Sequence, residues 1–155
     1  GMGDNKFEPN SSVTREQFVK TAISAFGITD GEDPGFADAD KSAWYYDSIC
    51  IAYKNGIAMG IDENNFGIGK TLTREEMAVF AYRAAKKAGI SFEKEAAYDF
   101  ADNDKISDYA KEAVGIMSAN GYIKGFPDGT FMPDGSCTRA QMAVVIAAIL
   151  KSAGL

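Results

Sequence analysis

The stretch GFPDGTFMPDGSCTRAQMAVVIAAILK, residues 125–151, decides the fold, because the chain carries it three times. GIDENNFGIGKTLTREEMAVFAYRAAK occupies residues 60–86, and GMGDNKFEPNSSVTREQFVKTAISAFG occupies residues 1–27. In each copy a Gly leads to a Phe (Phe7, Phe66, Phe131), then to a Thr-Arg pair (Thr14-Arg15, Thr73-Arg74, Thr138-Arg139), then to an apolar helical stretch. Agreement at so many fixed offsets marks a repeat architecture.

The second and third copies share an upstream half. FADADKSAWYYDSICIAYKNGIAMG fills residues 36–60 and FADNDKISDYAKEAVGIMSANGYIKG fills residues 100–125. Both open on Phe-Ala-Asp-x-Asp-Lys and close a helical pattern at Asn-Gly (Asn55-Gly56, Asn120-Gly121). Gly suits the place just past a helix C-terminus, where a left-handed residue is wanted. A full unit therefore reads helix, loop, helix. The units are residues 1–28 (a second half only), 36–88 and 99–155. Residues 29–35, acidic and holding Pro34, read as a linker, and residues 89–98 have room for an extra helical turn. The chain starts inside a unit, so it is expected to be a piece of a longer protein.

The second helix of each unit has a specified start. Thr14, Thr73 and Thr138 stand as N-caps, with Gln17, Glu76 and Gln141 completing a capping box. Val13, Leu72 and Cys137 precede the caps, and Phe18, Met77 and Met142 follow them, in the pairing of a hydrophobic staple. Turns fall at Asp4-Asn5, Glu63-Asn64 and Asp128-Gly129, and Asn5, Asn64 and Gly129 are expected to share a positive φ. The lone first unit should leave Phe18, Ile23 and Phe26 uncovered. Another chain, as in a swapped homo-oligomer, or the N-terminal segment is then expected to cover them.

Composition narrows the function. The chain has 155 residues, 46% hydrophobic, with a net charge of −6, so it has the apolar content of a globular fold and no basic stripe for nucleic acid. No apolar run is long enough to enter a membrane as a helix. There is no histidine, which removes His-based triads, bases and metal sites. Two cysteines remain, Cys50 and Cys137. Cys137 stands where the other copies have Val13 and Leu72, the place of a small buried hydrophobe.

Arg15, Arg74 and Arg139 break the local logic. Each occupies the first position of a helix, where the macrodipole disfavours a cation. Two explanations stand side by side. Backbone N–H groups plus a guanidinium would hold a carboxylate or phosphate. Alternatively, each arginine pairs with an aspartate of the next unit, such as Asp38 or Asp102, and locks a loop.

With its FAD openings (Phe36, Phe100), Trp44 and its counterpart Tyr109, the GIAMG and GYIKG loops, FEP and FMP turns, and TREQ, TREE and TRAQ motifs, the chain resembles the S-layer homology (SLH) domain of bacterial cell-surface proteins. The likeness covers nearly the whole chain. It departs where FGIGKTLT lacks a Pro, where Tyr109 replaces Trp, and where the first unit lacks its upstream half. The resemblance implies an all-α fold, tandem helix-loop-helix repeats in a pseudo-threefold, three-pronged spindle. It implies an extracellular, wall-bound module, without catalysis or cofactor, that binds secondary cell wall polysaccharide, a peptidoglycan-associated glycan, through a pyruvylated sugar. On that resemblance Arg15, Arg74 and Arg139 are carboxylate partners in inter-repeat grooves, and Asp38 and Asp102 accept sugar hydroxyls. Trp44 stacks on a sugar ring, against the competing role of a core aromatic. Gly60 and Gly125 let backbone N–H groups reach the ligand, or serve as plain turns.

Three rival readings have less support. Asp38-x-Asp40, Asp102-x-Asp104 and Asp62-x-Asn64 open like calcium loops, but none has both the Gly and the Glu an EF-hand requires. Helical repeats also serve as protein-interaction or self-assembly modules. An enzyme would need an acid and a nucleophile placed together, and Glu75-Glu76 reads instead as the acidic first turn of a helix.

Overall fold

The computed structural model describes residues 8–155. Among them are five α-helices and no strand: α1 (Arg15–Phe26), α2 (Tyr46–Lys54), α3 (Arg74–Lys87), α4 (Asp108–Ala119) and α5 (Arg139–Ser152). The fold class is all-α, as the repeats require. α1, α3 and α5 start one residue after Thr14, Thr73 and Thr138. The Gln17, Glu76 and Gln141 side chains accept the cap N–H groups at 3.2, 2.9 and 3.0 Å. Thr73 Oγ1 and Thr138 Oγ1 accept the reciprocal N–H, each at 3.2 Å, while Thr14 Oγ1 has no partner. α2 and α4 end at Asn55 and Asn120, each followed by a left-handed Gly, φ 66° at Gly56 and 77° at Gly121.

The staple residues close the repeats into a ring. Val13 N–H donates to Cys137 O at 2.9 Å, Cys137 N–H to Leu72 O at 2.9 Å, and Leu72 N–H to Val13 O at 2.8 Å. All three side chains are fully buried. Three isolated bridges, Ser12–Thr138, Thr14–Thr71 and Thr73–Ser136, repeat the same cycle around them. This is the pseudo-threefold axis, and it satisfies backbone groups that a buried junction could not leave unpaired. Cys137 fits as a small buried hydrophobe; burial pushes its thiol up to about 11, and neither cysteine is in a disulfide.

α1, α3 and α5 touch one another around this axis, and α2 and α4 lie outside them. The pairing crosses unit boundaries: α2 packs on α1, and α4 packs on α3. The expectation of an uncovered face on α1 is thereby corrected. Phe18, Ile23 and Phe26 are buried within this one chain, where α1 packs against α2 and α3 and Phe18 meets Phe80. Among the described residues the equivalent face of α5 has no such cover. Where α1 buries Val19 and Ile23, and α3 buries Ala78 and Tyr82, α5 exposes Ala143 and Ala147.

Two further expectations change. Residues 89–98 contain no helical turn. They form an extended strap, with Phe92 packed between Tyr82 and Tyr122 and the Lys94 N–H bound to Asn120 Oδ1. In the loop turns, Gly129 has a φ of 82°, but Asn64 is not left-handed, and Asn5 lies outside the described residues. Asp62 turns the chain there instead, its Oδ1 accepting the N–H groups of Asn64 and Asn65, each at 2.9 Å. The left-handed position shared by all three loops is the residue after the repeat Phe: Glu8 (φ 47°), Gly67 (φ 91°) and Met132 (φ 57°).

Candidate functional site: the inter-repeat grooves

That left-handed residue aims successive N–H groups at one point, a nest that suits an anion. Here the anion is internal. Asp38 accepts from Phe66 N (2.7 Å), Gly67 N (2.7 Å) and Ile68 N (2.9 Å). Asp102 accepts from Phe131 N (2.7 Å) and Met132 N (2.9 Å). Burial works against both charges, but the N–H groups outweigh it and hold both carboxyls below the usual aspartate range. Neither aspartate pairs with an arginine. Each instead clamps the loop that carries the next part of the groove.

Gly60 and Gly125 are packing glycines. A Cβ at Gly60 would lie 2.4 Å from Asp62 O and 2.7 Å from the Phe36 ring; one at Gly125 would lie 2.7 Å from Thr130 O and from the Phe100 ring. Each thus lets an opening Phe seat the loop. The residue before each, Met59 and Lys124, then turns its carbonyl toward an arginine.

Those arginines cross from one unit to the next. Arg15 donates through Nε to Phe66 O at 3.0 Å and through Nη2 to Met59 O at 2.9 Å. Arg74 repeats this on Phe131 O at 2.8 Å and Lys124 O at 3.1 Å. Both guanidinium groups lie over aromatic rings, Phe66 and Phe80 for Arg15, Phe126 and Phe131 for Arg74. Both are buried, 4% and 5% exposed. The helix starts add fewer donors than the sequence suggests. Arg15 N–H is bound to Lys70 O, Arg74 N–H to Gly135 O, Glu75 N–H to Pro133 O, and Ala140 N–H to Pro9 O.

One contact separates the two grooves. Arg15 Nη1 forms an ion pair with Glu76, the capping-box residue of α3. At the equivalent place beside Arg74 stands the neutral Gln141, and no ion pair to Arg74 occurs among the described residues. Burial lowers the Arg74 pKa from its ordinary value, with Asp102 acting in the opposite sense; the group remains a cation at neutral pH. Each arginine borders an open cavity, of ≈ 440 Å³ at Arg15 with Gly60, Val79 and Tyr109, and of ≈ 460 Å³ at Arg74 with Gly125, Phe126 and Val144. Arg139 heads α5 with its N–H on Ser11 O at 2.9 Å; the first-unit residues equivalent to 60–61 and 125–126, residues 1–2, lie outside the described residues.

Trp44 is not a core aromatic. It is 57% exposed just before α2, and its counterpart Tyr109 is 55% exposed at the start of α4. Tyr109 OH and the Ser107 N–H and hydroxyl all bind the buried Glu75, which latches α4 onto α3. Sequence reasoning read Glu75 only as an acidic first turn. A signal for more is the acid at Glu16 in the same place, which is also buried and accepts Gly69 N–H at 3.2 Å. The acidic pairs read as calcium-loop openings bind backbone N–H groups, and no metal-ligating cluster occurs among the described residues.

Buried arginines that reach from one unit to the next, on a ring of helices, define a module built from tandem repeats. The chain matches the S-layer homology domain over residues 1–19, 35–78 and 99–143, more than half of its length, and it belongs to that family. It is 36% identical to an amylopullulanase of Thermoanaerobacterium thermosulfurigenes over 99% of this chain and 8% of that protein. It is 31% identical to the surface-layer 125 kDa protein of Lysinibacillus sphaericus over 98% of this chain and 13% of that protein. A cellulosome-anchoring protein of Acetivibrio thermocellus is 27% identical over 94% of this chain and 34% of that protein. The chain thus spans a small fraction of the relatives it matches. Membership makes it an anchoring module of the cell surface, extracellular and wall-associated. No described helix is long and apolar enough to cross a membrane.

Proposed function

We propose that this module anchors its parent protein non-covalently to secondary cell wall polysaccharide by binding the carboxylate of a pyruvylated sugar, without catalysis of its own. The observation that carries this reading is Arg74. Among the described residues it is a buried cation with no counter-charge and no hydrogen bond at Nη1, and it borders an open cavity. A guanidinium so placed is pre-organised for a planar carboxylate. Arg15 and Arg139 are the corresponding residues of the other grooves. Trp44 and Tyr109 present exposed faces on which a sugar ring can stack. Gly60, Gly125, Asp38 and Asp102 act behind the site by holding the loops, and any sugar hydroxyl on Asp38 or Asp102 would share oxygens already bound to N–H groups.

Cosedimentation with cell wall sacculi tests the reading. Binding is expected to native sacculi and to be lost once the polysaccharide is extracted; equal binding to both would overturn it. A second reading, self-assembly at the surface, is favoured by the uncovered Ala143, Val144 and Ala147 on α5. It predicts concentration-dependent association of the protein without any glycan, measurable by sedimentation velocity.

A further inference from the structure

The two described grooves share one plan; at the guanidinium edge they differ in charge between Glu76 and Gln141, and elsewhere in the lining Arg83 of the first groove stands where the second has Ala148, and Met59 where the second has Lys124. We infer that the capping-box residue facing each arginine sets which groove accepts an acidic sugar: Glu76 closes the Arg15 groove to a carboxylate, and Gln141 leaves the Arg74 groove open. The inference rests on the glycan reading above and assigns the selectivity to residues the reading does not use.

Arg15 and Arg74 make the same two bonds to carbonyls of the loop and lie over equivalent rings. What remains of each guanidinium is the edge carrying Nη1. In the Arg15 groove Glu76 Oε1 occupies that edge, while Glu76 Oε2 accepts the Thr73 N–H. Helix capping and charge neutralisation thus fall on one carboxylate. In the Arg74 groove Gln141 Oε1 accepts the Thr138 N–H, and its amide brings no charge. Asp102 does not substitute, because both its oxygens are engaged by the Phe131 and Met132 N–H groups.

A ligand carboxylate entering the Arg15 groove would have to displace Glu76 or sit beside it as a like charge. Like-charge juxtaposition at a desolvated contact is strongly unfavourable. In the Arg74 groove the same carboxylate supplies the missing counter-charge, and the Gln141 amide can add a neutral donor. The internal repeats also show that the exchange is compatible with folding. Gln17 and Gln141 cap α1 and α5 as Glu76 caps α3. Glu76→Gln and Gln141→Glu are therefore swaps between residues the chain already uses at this place.

The test is a titration followed by nuclear magnetic resonance of the arginine Nε–H groups, which reports each groove separately. The probe is a pyruvate-ketal monosaccharide glycoside, with the same glycoside lacking the ketal as control. In the wild-type protein the Arg74 resonance is expected to shift saturably with the ketal, and the Arg15 resonance to stay in place. Glu76→Gln is expected to make Arg15 respond as well. Gln141→Glu is expected to weaken the Arg74 response by about tenfold or more. If Arg74 responds in the wild-type protein but neither substitution moves its groove's response, the charge-selection inference fails and the glycan reading stands. If neither resonance responds to the ketal in the wild-type protein, the carboxylate reading fails, and the inference with it. A response by Arg15 in the wild-type protein equal to that of Arg74 also overturns the inference.

Discussion

The Arg15 and Arg74 grooves are the same device in two states of completion. Each has a buried arginine on two loop carbonyls, a loop held by an aspartate, and a wall formed by the next second helix. The Arg15 groove is internally satisfied: Glu76 neutralises the cation, Asp38 takes three N–H groups, and Val79 is covered beside Tyr109. The Arg74 groove lacks each of these in part. It has Gln141 for Glu76, two N–H groups on Asp102, and Val144, 65% exposed where Val79 is 2% exposed. Internal satisfaction stabilises a fold, and an unsatisfied buried cation is what a ligand can complete. On the proposed glycan reading, the difference assigns stability to the first groove and binding to the second.

The largest effect expected from that difference is on the arginines themselves. Arg15→Met keeps an apolar stem but strands Glu76, and breaking a buried pair costs about 3 kcal/mol. Arg74→Met loses the same two carbonyl bonds but strands no carboxylate, so it should cost less than Arg15→Met. Urea unfolding of both variants checks this, and equal losses would erase the distinction between the grooves.

Acid should act on the loops in the same order. The pKa values of Asp38 and Asp102 are depressed in the fold, so their contribution is present above the unfolded value near 3.8 and is lost as pH falls below it. Carboxylates accepting several N–H groups contribute on the order of 1.5–3 kcal/mol. Asp38→Asn is expected to lower stability at neutral pH by an amount in that range and to flatten the acid limb of the stability profile. Asp102→Asn should do less of both. Acid unfolding followed by circular dichroism distinguishes them, and an unchanged limb in both variants would refute the role.

The walls give a smaller contrast. Val79→Ala removes buried apolar surface and should cost roughly 1.5–2 kcal/mol, whereas Val144→Ala should cost almost nothing. Smallest is Met132→Gly. Met132 holds a left-handed φ of 57°, where the Arg15 groove already has Gly67. Relief of that conformation, set against the greater chain entropy of Gly, should stabilise the protein by about 0.5–1 kcal/mol in thermal melts.

Much of this fold was legible because its signals are local. A Thr cap, a Gln or Glu in the third helical position and a flanking apolar pair act within one turn, so they placed the starts of α1, α3 and α5. The Asn-Gly ends of α2 and α4 are local in the same way. What escaped the sequence depends on which unit faces which. Burial of Phe18 and Ile23 by the helices of the following unit, rather than by another chain, follows from the ring closed by Val13, Leu72 and Cys137, and no single unit encodes that ring. Asn64 invites a left-handed conformation because Asn tolerates it, but the requirement arises at Gly67 and Met132, whose N–H groups must face an aspartate from elsewhere. Glu76 was visible as a cap and not as the partner of Arg15, because that contact joins two units. The arginines themselves stood out through a local conflict, a cation at a helix start, and the conflict is resolved by carbonyls of the following unit.

The most direct measurement is a calorimetric cycle on wild-type and Arg74→Ala protein, each titrated with purified wall polysaccharide before and after removal of the pyruvate ketal. Wild-type binding should weaken by about 1.5–3 kcal/mol when the ketal is removed, the scale of a charge-assisted hydrogen bond. Arg74→Ala should bind the intact polymer with most of that loss already present and should respond little to removal of the ketal. Equal binding of both polymers by the wild-type protein would contradict the account, as would an Arg74→Ala variant that keeps the full response.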